Sequence, residues 1–272
     1  MPPPRTAKMK SRFATKPRQT IRGHTDSVRG VAHLPDGRRI ITCSFDGSLR
    51  LWNLESGTQI GDDWRDGGNE QVWSIALSPN GKTVASGSSD GKVRLWNIET
   101  KKVIARWTAH IDVAGSLCWS VDDEQVVIGS GNGTIIVWDV ESGDTVLGPI
   151  KTGHRAVEAV IYSPDTTKIA TGGQHENASK IWDAKTGNLL STIKHNSSVS
   201  SLAWTSDQNK LITGSYSIRI FDTATWQQIG LASRDYEIAT RRRSNKRMFI
   251  SVTSRGTRSK YIPNKRMFLV SR

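Results

Sequence analysis

SSDGKVRLWN, residues 88–97, places a turn-forming Asp-Gly pair six residues ahead of a tryptophan. The spacing returns in SFDGSLRLWN (44–53), in SGNGTIIVWD (130–139) and, with Glu-Asn at the turn, in QHENASKIWD (174–183). A fifth copy, GSYSIRIFD (214–222), is shorter at the turn and ends on a phenylalanine. The aromatic anchors Trp52, Trp96, Trp138, Trp182 and Phe221 are separated by 44, 42, 44 and 39 residues. A period of about 40–45 residues marks a repeat architecture and takes precedence over any local reading.

One period read outward from Trp96 predicts four strands. QVWSIAL (71–77) is apolar-rich and ends at Ser78-Pro79-Asn80-Gly81, a hairpin turn signal. KTVASGS (82–88) follows, then the tight turn at Asp90-Gly91. KVRLWN (92–97) alternates, with Val93 and Leu95 on one face and Arg94 and Trp96 on the other. VIARW (103–107) completes a four-stranded antiparallel meander. Both faces of so small a sheet carry Val, Ile, Leu and Trp, so neither can stay wet. Stacking the sheets face to face around an axis buries both.

These units resemble the WD-repeat β-propeller family. The carriers are Gly23-His24 and Gly153-His154, the weaker Ala109-His110 and Lys194-His195, and the closing pairs Trp52-Asn53, Trp96-Asn97, Trp138-Asp139, Trp182-Asp183 and Phe221-Asp222. The resemblance covers about residues 17–232. It implies an all-β propeller of about five blades, near 23–62, 68–107, 109–150, 153–193 and 194–231.

The resemblance also implies a hydrogen-bonded chain of His, strand Ser/Thr, turn Asp and Trp in each blade. The first unit supplies all four as His24, Ser44, Asp46 and Trp52. The second keeps Ser88, Asp90 and Trp96, with Gly68 in place of the histidine. The third offers His110, Ser130 and Trp138, with Asn132 at the turn. The fourth offers His154, Glu176 and Trp182, and the fifth retains His195. A buried indole N–H needs an acceptor, and a satisfied polar chain locks loops to a sheet.

The net charge of +13 lies at the ends. Residues 1–22 carry seven basic and no acidic side chains, and residues 233–272 carry twelve basic and two acidic, which leaves −4 for 23–232. Residues 1–16 therefore read as a basic tail and 233–272 as a second one without a repeat. The second contains a near duplication, NKRMFI (245–250) and NKRMFL (264–269). No apolar run is long enough to cross a membrane, and no secretory signal opens the chain. The acid-free start would suit a mitochondrial presequence, but its three prolines oppose an amphipathic helix. Cys43 and Cys118 form neither a disulfide framework nor a zinc pattern, which fits reduced thiols in a cytoplasmic or nuclear protein.

Five units are fewer than the family's usual seven, and RQTIR (18–22) reads as an outer strand ahead of the first blade. QQIGL (227–231) gives the fifth blade its own fourth strand, so one strand edge is left over and invites self-association. The ring closes with five blades, forms an open arc completed by another chain, or belongs to an incomplete or shifted reading frame.

The function expected is a non-catalytic scaffold for partner proteins or peptides, with no cofactor or metal. GSGNGT (129–134) lacks the Lys-Ser/Thr of a phosphate loop, and no nucleophile–base constellation stands outside the repeats. The candidate binding face consists of residues just past the His positions, Arg29, Trp73 and Glu158, and residues just before the turn Asp, Phe45, Ser89, His175 and Tyr216. Arg, Trp and Tyr dominate binding hot spots. The alternative is a ribonucleoprotein or nucleic-acid-associated subunit whose basic tails bind phosphates.

Overall fold

The computed structural model describes residues 19–108, 112–231, 236–238, 249–254 and 267–270. His110 and the segment 1–16 lie outside the described residues, as does most of 233–272. Every described element is a strand.

Blade 1 comprises β1 (Val28–His33), β2 (Arg39–Ser44) and β3 (Leu49–Asn53). Blade 2 comprises β4 (Val72–Leu77), β5 (Thr83–Ser88), β6 (Lys92–Asn97) and β7 (Val103–Thr108). Blade 3 comprises β8 (Ala114–Trp119), β9 (Gln125–Ser130), β10 (Thr134–Asp139) and β11 (Thr145–Lys151). Blade 4 comprises β12 (Val157–Tyr162), β13 (Lys168–Gly173), β14 (Ala178–Asp183) and β15 (Leu189–Lys194). Blade 5 comprises β16 (Ser201–Trp204), β17 (Lys210–Gly214), β18 (Ile218–Asp222) and β19 (Gln228–Leu231). Each blade is an antiparallel meander in chain order, as the repeat predicts.

Alternation drives the stacking. In blades 2 to 5 the face bearing the aromatic anchor packs on the blade before it. Trp96 joins Ile41, Leu49 and Leu51 of blade 1, and Trp182 joins Val127, Ile135 and Val137 of blade 3. Phe221 and Leu211 likewise meet Ala170 and Ile181 of blade 4. The opposite face packs forward, so Val93 and Leu95 lie with Trp119 and Val126. Burying each such side chain contributes about 1.5–3 kcal/mol. Blades approach closely at the glycine one residue before the end of the second strand: a Cβ added to Gly87, Gly129 or Gly172 would collide with Ala114, Val157 or Val199 of the next blade.

Blade 1 departs from expectation. Residues 19–22 form no strand, so the leftover edge inferred from RQTIR is absent among the described residues. The outer side of β3 is instead covered by the stretch 58–64. Leu49 and Trp64 exchange both backbone hydrogen bonds, at 3.1 and 2.8 Å, and Ile60 N–H donates to Leu51 at 2.8 Å. Trp64, 2% exposed, anchors this irregular strap against Trp96.

Three further strands, β20 (Tyr236–Ile238), β21 (Phe249–Ser254) and β22 (Met267–Val270), form an antiparallel sheet in that order. The innermost strands of the five blades run β1, β4, β8, β12, β16 around the axis, and β22 lies beside both β1 and β16.

Candidate functional site

One local feature builds the candidate face. The first strand of blades 1 to 4 breaks register with the second at the same place, between Val28 and Gly30, Val72 and Ser74, Ala114 and Ser116, and Val157 and Ala159. The extra residues are Arg29, Trp73, Gly115 and Glu158. A bulge re-aims the side chain it carries, so blades 1, 2 and 4 deliver Arg29, Trp73 and Glu158 to equivalent positions at one end of the axis, and blade 3 places Gly115 there. Glu158, four residues past His154 where the others stand five past their counterparts, occupies the same bulge. In blade 5 no bulge is formed, and Ser200 N–H bonds Gly214 at 3.0 Å.

Arg29, Trp73 and Glu158 line a cavity of about 520 Å³, together with Asp112, Arg155 and Ser200. Arg29 packs against a pair of rings: its guanidinium carbon lies 4.8 Å from the Phe45 centroid and 5.2 Å from that of Trp73. The two rings are 4.6 Å apart and inclined by 54°. Cation–π contacts of this kind contribute about 0.5–2 kcal/mol and restrict the side chain. Glu158 accepts a 2.6 Å hydrogen bond from Gln174. Ser89 donates to Glu70 at 3.3 Å and stands beside the cluster without joining it. His175, at φ 81°, and Tyr216, 91% exposed, project alone from the turns of blades 4 and 5.

Beneath this rim, the polar chains differ from expectation, first in the source of the hydroxyl. The hydroxyl between Trp and His comes from two residues earlier in the strand. Trp52 Nε1 donates to Thr42 Oγ1 at 2.8 Å, Thr42 meets His24 Nε2 at 2.7 Å, and His24 Nδ1 meets Asp46 at 2.8 Å. Ser44 instead donates to the Asp26 carbonyl and accepts from Asp46 N–H, both at 3.1 Å, so it shapes the turn. The reason is register: Trp52 pairs with Ile40, and the next residue on that face is Thr42.

The same register places Ser86, not Ser88, under Trp96, at 2.8 Å. Ser88 bonds Asp90 at 2.5 Å. In blade 3 the position is Ile128, so Trp138 Nε1 is buried without an acceptor, and Ser130 bonds the Asp112 carbonyl at 3.4 Å. Trp138 stacks instead on Trp107, 5.4 Å between centroids and 6° from parallel. In blade 4 Trp182 donates to Thr171 at 2.9 Å and His154 lies 3.3 Å from the same oxygen. Glu176 does not continue that chain; it pairs with Lys180 at 2.5 Å. In blade 5 His195 turns to Ser179 of blade 4, at 2.9 Å, and Thr213 Oγ1 is left without a partner beneath Phe221.

Electrostatics follow the completeness of each chain. Burial raises the carboxyl of Asp46, but hydrogen bonds from Ser48, His24 and Thr25 N–H outweigh it and bring it down to about 2. Burial holds His24 below the usual imidazole range despite the pull of Asp46. His154 and His195 lack a carboxylate partner, and burial with nearby Lys180 or Arg219 brings each to about 4. Blade 2, with no histidine, substitutes ions that the sequence reading missed. Arg94 bridges Asp66 at 2.8 Å and Asp90 at 2.9 Å, and Arg106 also reaches Asp66. The Arg106 and Arg94 hydrogen bonds bring Asp66 to about 2. Among the described residues no group of three or more His, Cys, Asp or Glu is placed to hold a metal ion. No described helix is long and apolar enough to cross a membrane.

Five sheets stacked around an axis, with a repeated aromatic anchor and a pinned loop rim, define a β-propeller built from one repeat. The WD domain, G-beta repeat family model matches residues 15–53, 65–97, 101–139, 147–183 and 187–222, more than half of the chain, and the chain belongs to that family. The 77 kDa echinoderm microtubule-associated protein of Lytechinus variegatus is 31% identical over 81% of this chain and 27% of its own length. A ribosome biogenesis protein WDR12 homolog of Chlamydomonas reinhardtii is 26% identical over 79% of this chain and 46% of its own. Protein FIZZY-RELATED 3 of Arabidopsis thaliana is 27% identical over 40% of this chain and 23% of its own. The chain spans less than half the length of each of these relatives.

Proposed function

We propose that the chain is a non-catalytic scaffold that binds partner proteins or peptides on the rim of the propeller where the bulged residues emerge. The observation that carries this reading is the bulge shared by four blades, which aims Arg29, Trp73 and Glu158 into one concave surface. Phe45 and Trp73 fix Arg29, so a partner meets a rigid aromatic–cation anchor with little ordering to offset. Glu158 and Asp112 place negative charge in the same cavity, which suits a segment carrying both an acidic and a basic side chain. Tyr216, exposed on the blade 5 turn, offers a further contact outside the cavity. No site for a cofactor enters the proposal.

Replacement of Arg29, Trp73 and Tyr216 by alanine tests it. A folded triple variant is expected to lose partner capture in co-purification, and unchanged capture would exclude this face.

A second reading draws on the ribosome-biogenesis relative and the two basic ends: a nuclear, ribonucleoprotein-associated subunit. RNA retention that disappears at high salt and on neutralising the basic residues of 1–22 supports it. Retention by the propeller face alone would contradict the assignment to the ends.

A further inference from the structure

The seam between blades 5 and 1 differs from the other four. Elsewhere the Trp face of one blade meets the aliphatic face of the blade before it. By that pattern Trp52 should meet Ala203, Ile212 and Ile220 of blade 5. Those three form a separate cluster, with Ile218, that includes no described residue of blade 1. Yet they are only 5–7% exposed, and Trp52 only 3%. Both faces are covered, and the described strand beside both β1 and β16 is β22.

We infer that this seam is a docking slot whose occupant is the C-terminal segment of the same chain, seated as the sheet β20–β22. Three observations point to it. β22 lies innermost, alongside the first strands of both flanking blades. The sheet enters in reversed order: its last strand is at the axis, whereas every repeat-built blade puts its first strand there. It therefore fills the slot without being a repeat. Charge is complementary as well, since residues 233–272 carry +10 against −4 for residues 23–232. Opposite net charges favour docking and make it salt-sensitive.

The test is hydrogen exchange on the full chain, read by mass spectrometry at 249–254 and 267–270. The expected result is exchange at least tenfold slower than in a free synthetic 233–272 peptide, quickening as NaCl rises from about 50 to about 500 mM. Ile212→Asp with Ile220→Asp is expected to abolish that protection while leaving 83–97 and 125–139 unchanged. Where the double aspartate unfolds blade 5 itself, the milder Ile212→Ala with Ile220→Ala carries the same reading. Val127→Ala, at the seam of blades 3 and 4, should leave the segment protected. Exchange as fast as the free peptide in the native chain would overturn the assignment, as would protection indifferent to the blade 5 substitutions. Protection that appears only with a dimeric mass in sedimentation would assign the slot to a second copy, and so overturn occupancy in cis.

Discussion

Thr42→Val, Thr171→Val and Thr213→Val make the same isosteric change at equivalent positions of blades 1, 4 and 5, and the structure assigns each a different consequence. Thr42 is the shared partner of Trp52 at 2.8 Å and His24 at 2.7 Å. Its loss strands a buried indole N–H and an imidazole nitrogen, each costing about 1–3 kcal/mol, so roughly 2–4 kcal/mol in all after partial relaxation. Thr171 holds Trp182 at 2.9 Å but His154 only at 3.3 Å, which predicts about 1–3 kcal/mol. Thr213 has no partner, and Phe221 above it has no N–H. Removing that hydroxyl is expected to be neutral, or stabilising by up to about 1 kcal/mol. The assay is urea unfolding at pH 7.5, with the midpoint compared at constant slope. Equal losses from all three variants, or a loss at Thr213 matching that at Thr42, would refute the hydrogen-bond reasoning and leave only generic core packing.

Acid should act in two stages. His154 and His195 sit near 4 when folded, so the unfolded chain takes up protons first, and stability should fall as pH drops from about 6.5 towards 4, then level off for these groups. Asp46, Asp66 and Asp90 sit near 2, and a second loss is expected as pH passes from about 4 to 2; titration of urea midpoints against pH checks both windows. Arg94→Lys keeps the charge but cannot bridge Asp66 and Asp90 together, and should lower stability by about 1–3 kcal/mol, against under about 0.5 if the cluster is ornamental. Burial pushes the Cys43 thiol up to about 12 and the Cys118 thiol to about 11. Neither should react with iodoacetamide at pH 8 until the chain unfolds, and rapid labelling of the native chain would contradict their placement.

The repeat period carried the architecture because burial on two faces repeats with the chain. The four strands read from 71–107 fall within a residue of β4 to β7. Counting back from the turn points to Ser44, Ser88 and Ser130, two residues past the position that faces the tryptophan. The acceptor is fixed instead by pairing across the sheet, and it lies ten or eleven residues before the tryptophan: Thr42, Ser86, Ile128, Thr171. That spacing is present in the sequence and marks Trp138 of blade 3 as the anchor tryptophan without an acceptor. The strap at 58–64 and the ion cluster of Asp66 were not legible. Neither recurs in the other units, and each depends on which loop the third dimension brings alongside. The bulge shared by Arg29, Trp73 and Glu158 lay between: the positions were selected by offset from histidine, but only the register shows why their side chains converge.

Hydrogen exchange of the intact chain, with and without a captured partner, tests the interaction face most directly. Bound partner is expected to slow exchange at 27–31, 44–47, 71–74 and 156–158, where the bulges and their neighbouring turns meet. Protection confined to the outer strands β7, β11 and β15, with that rim unchanged, would contradict it.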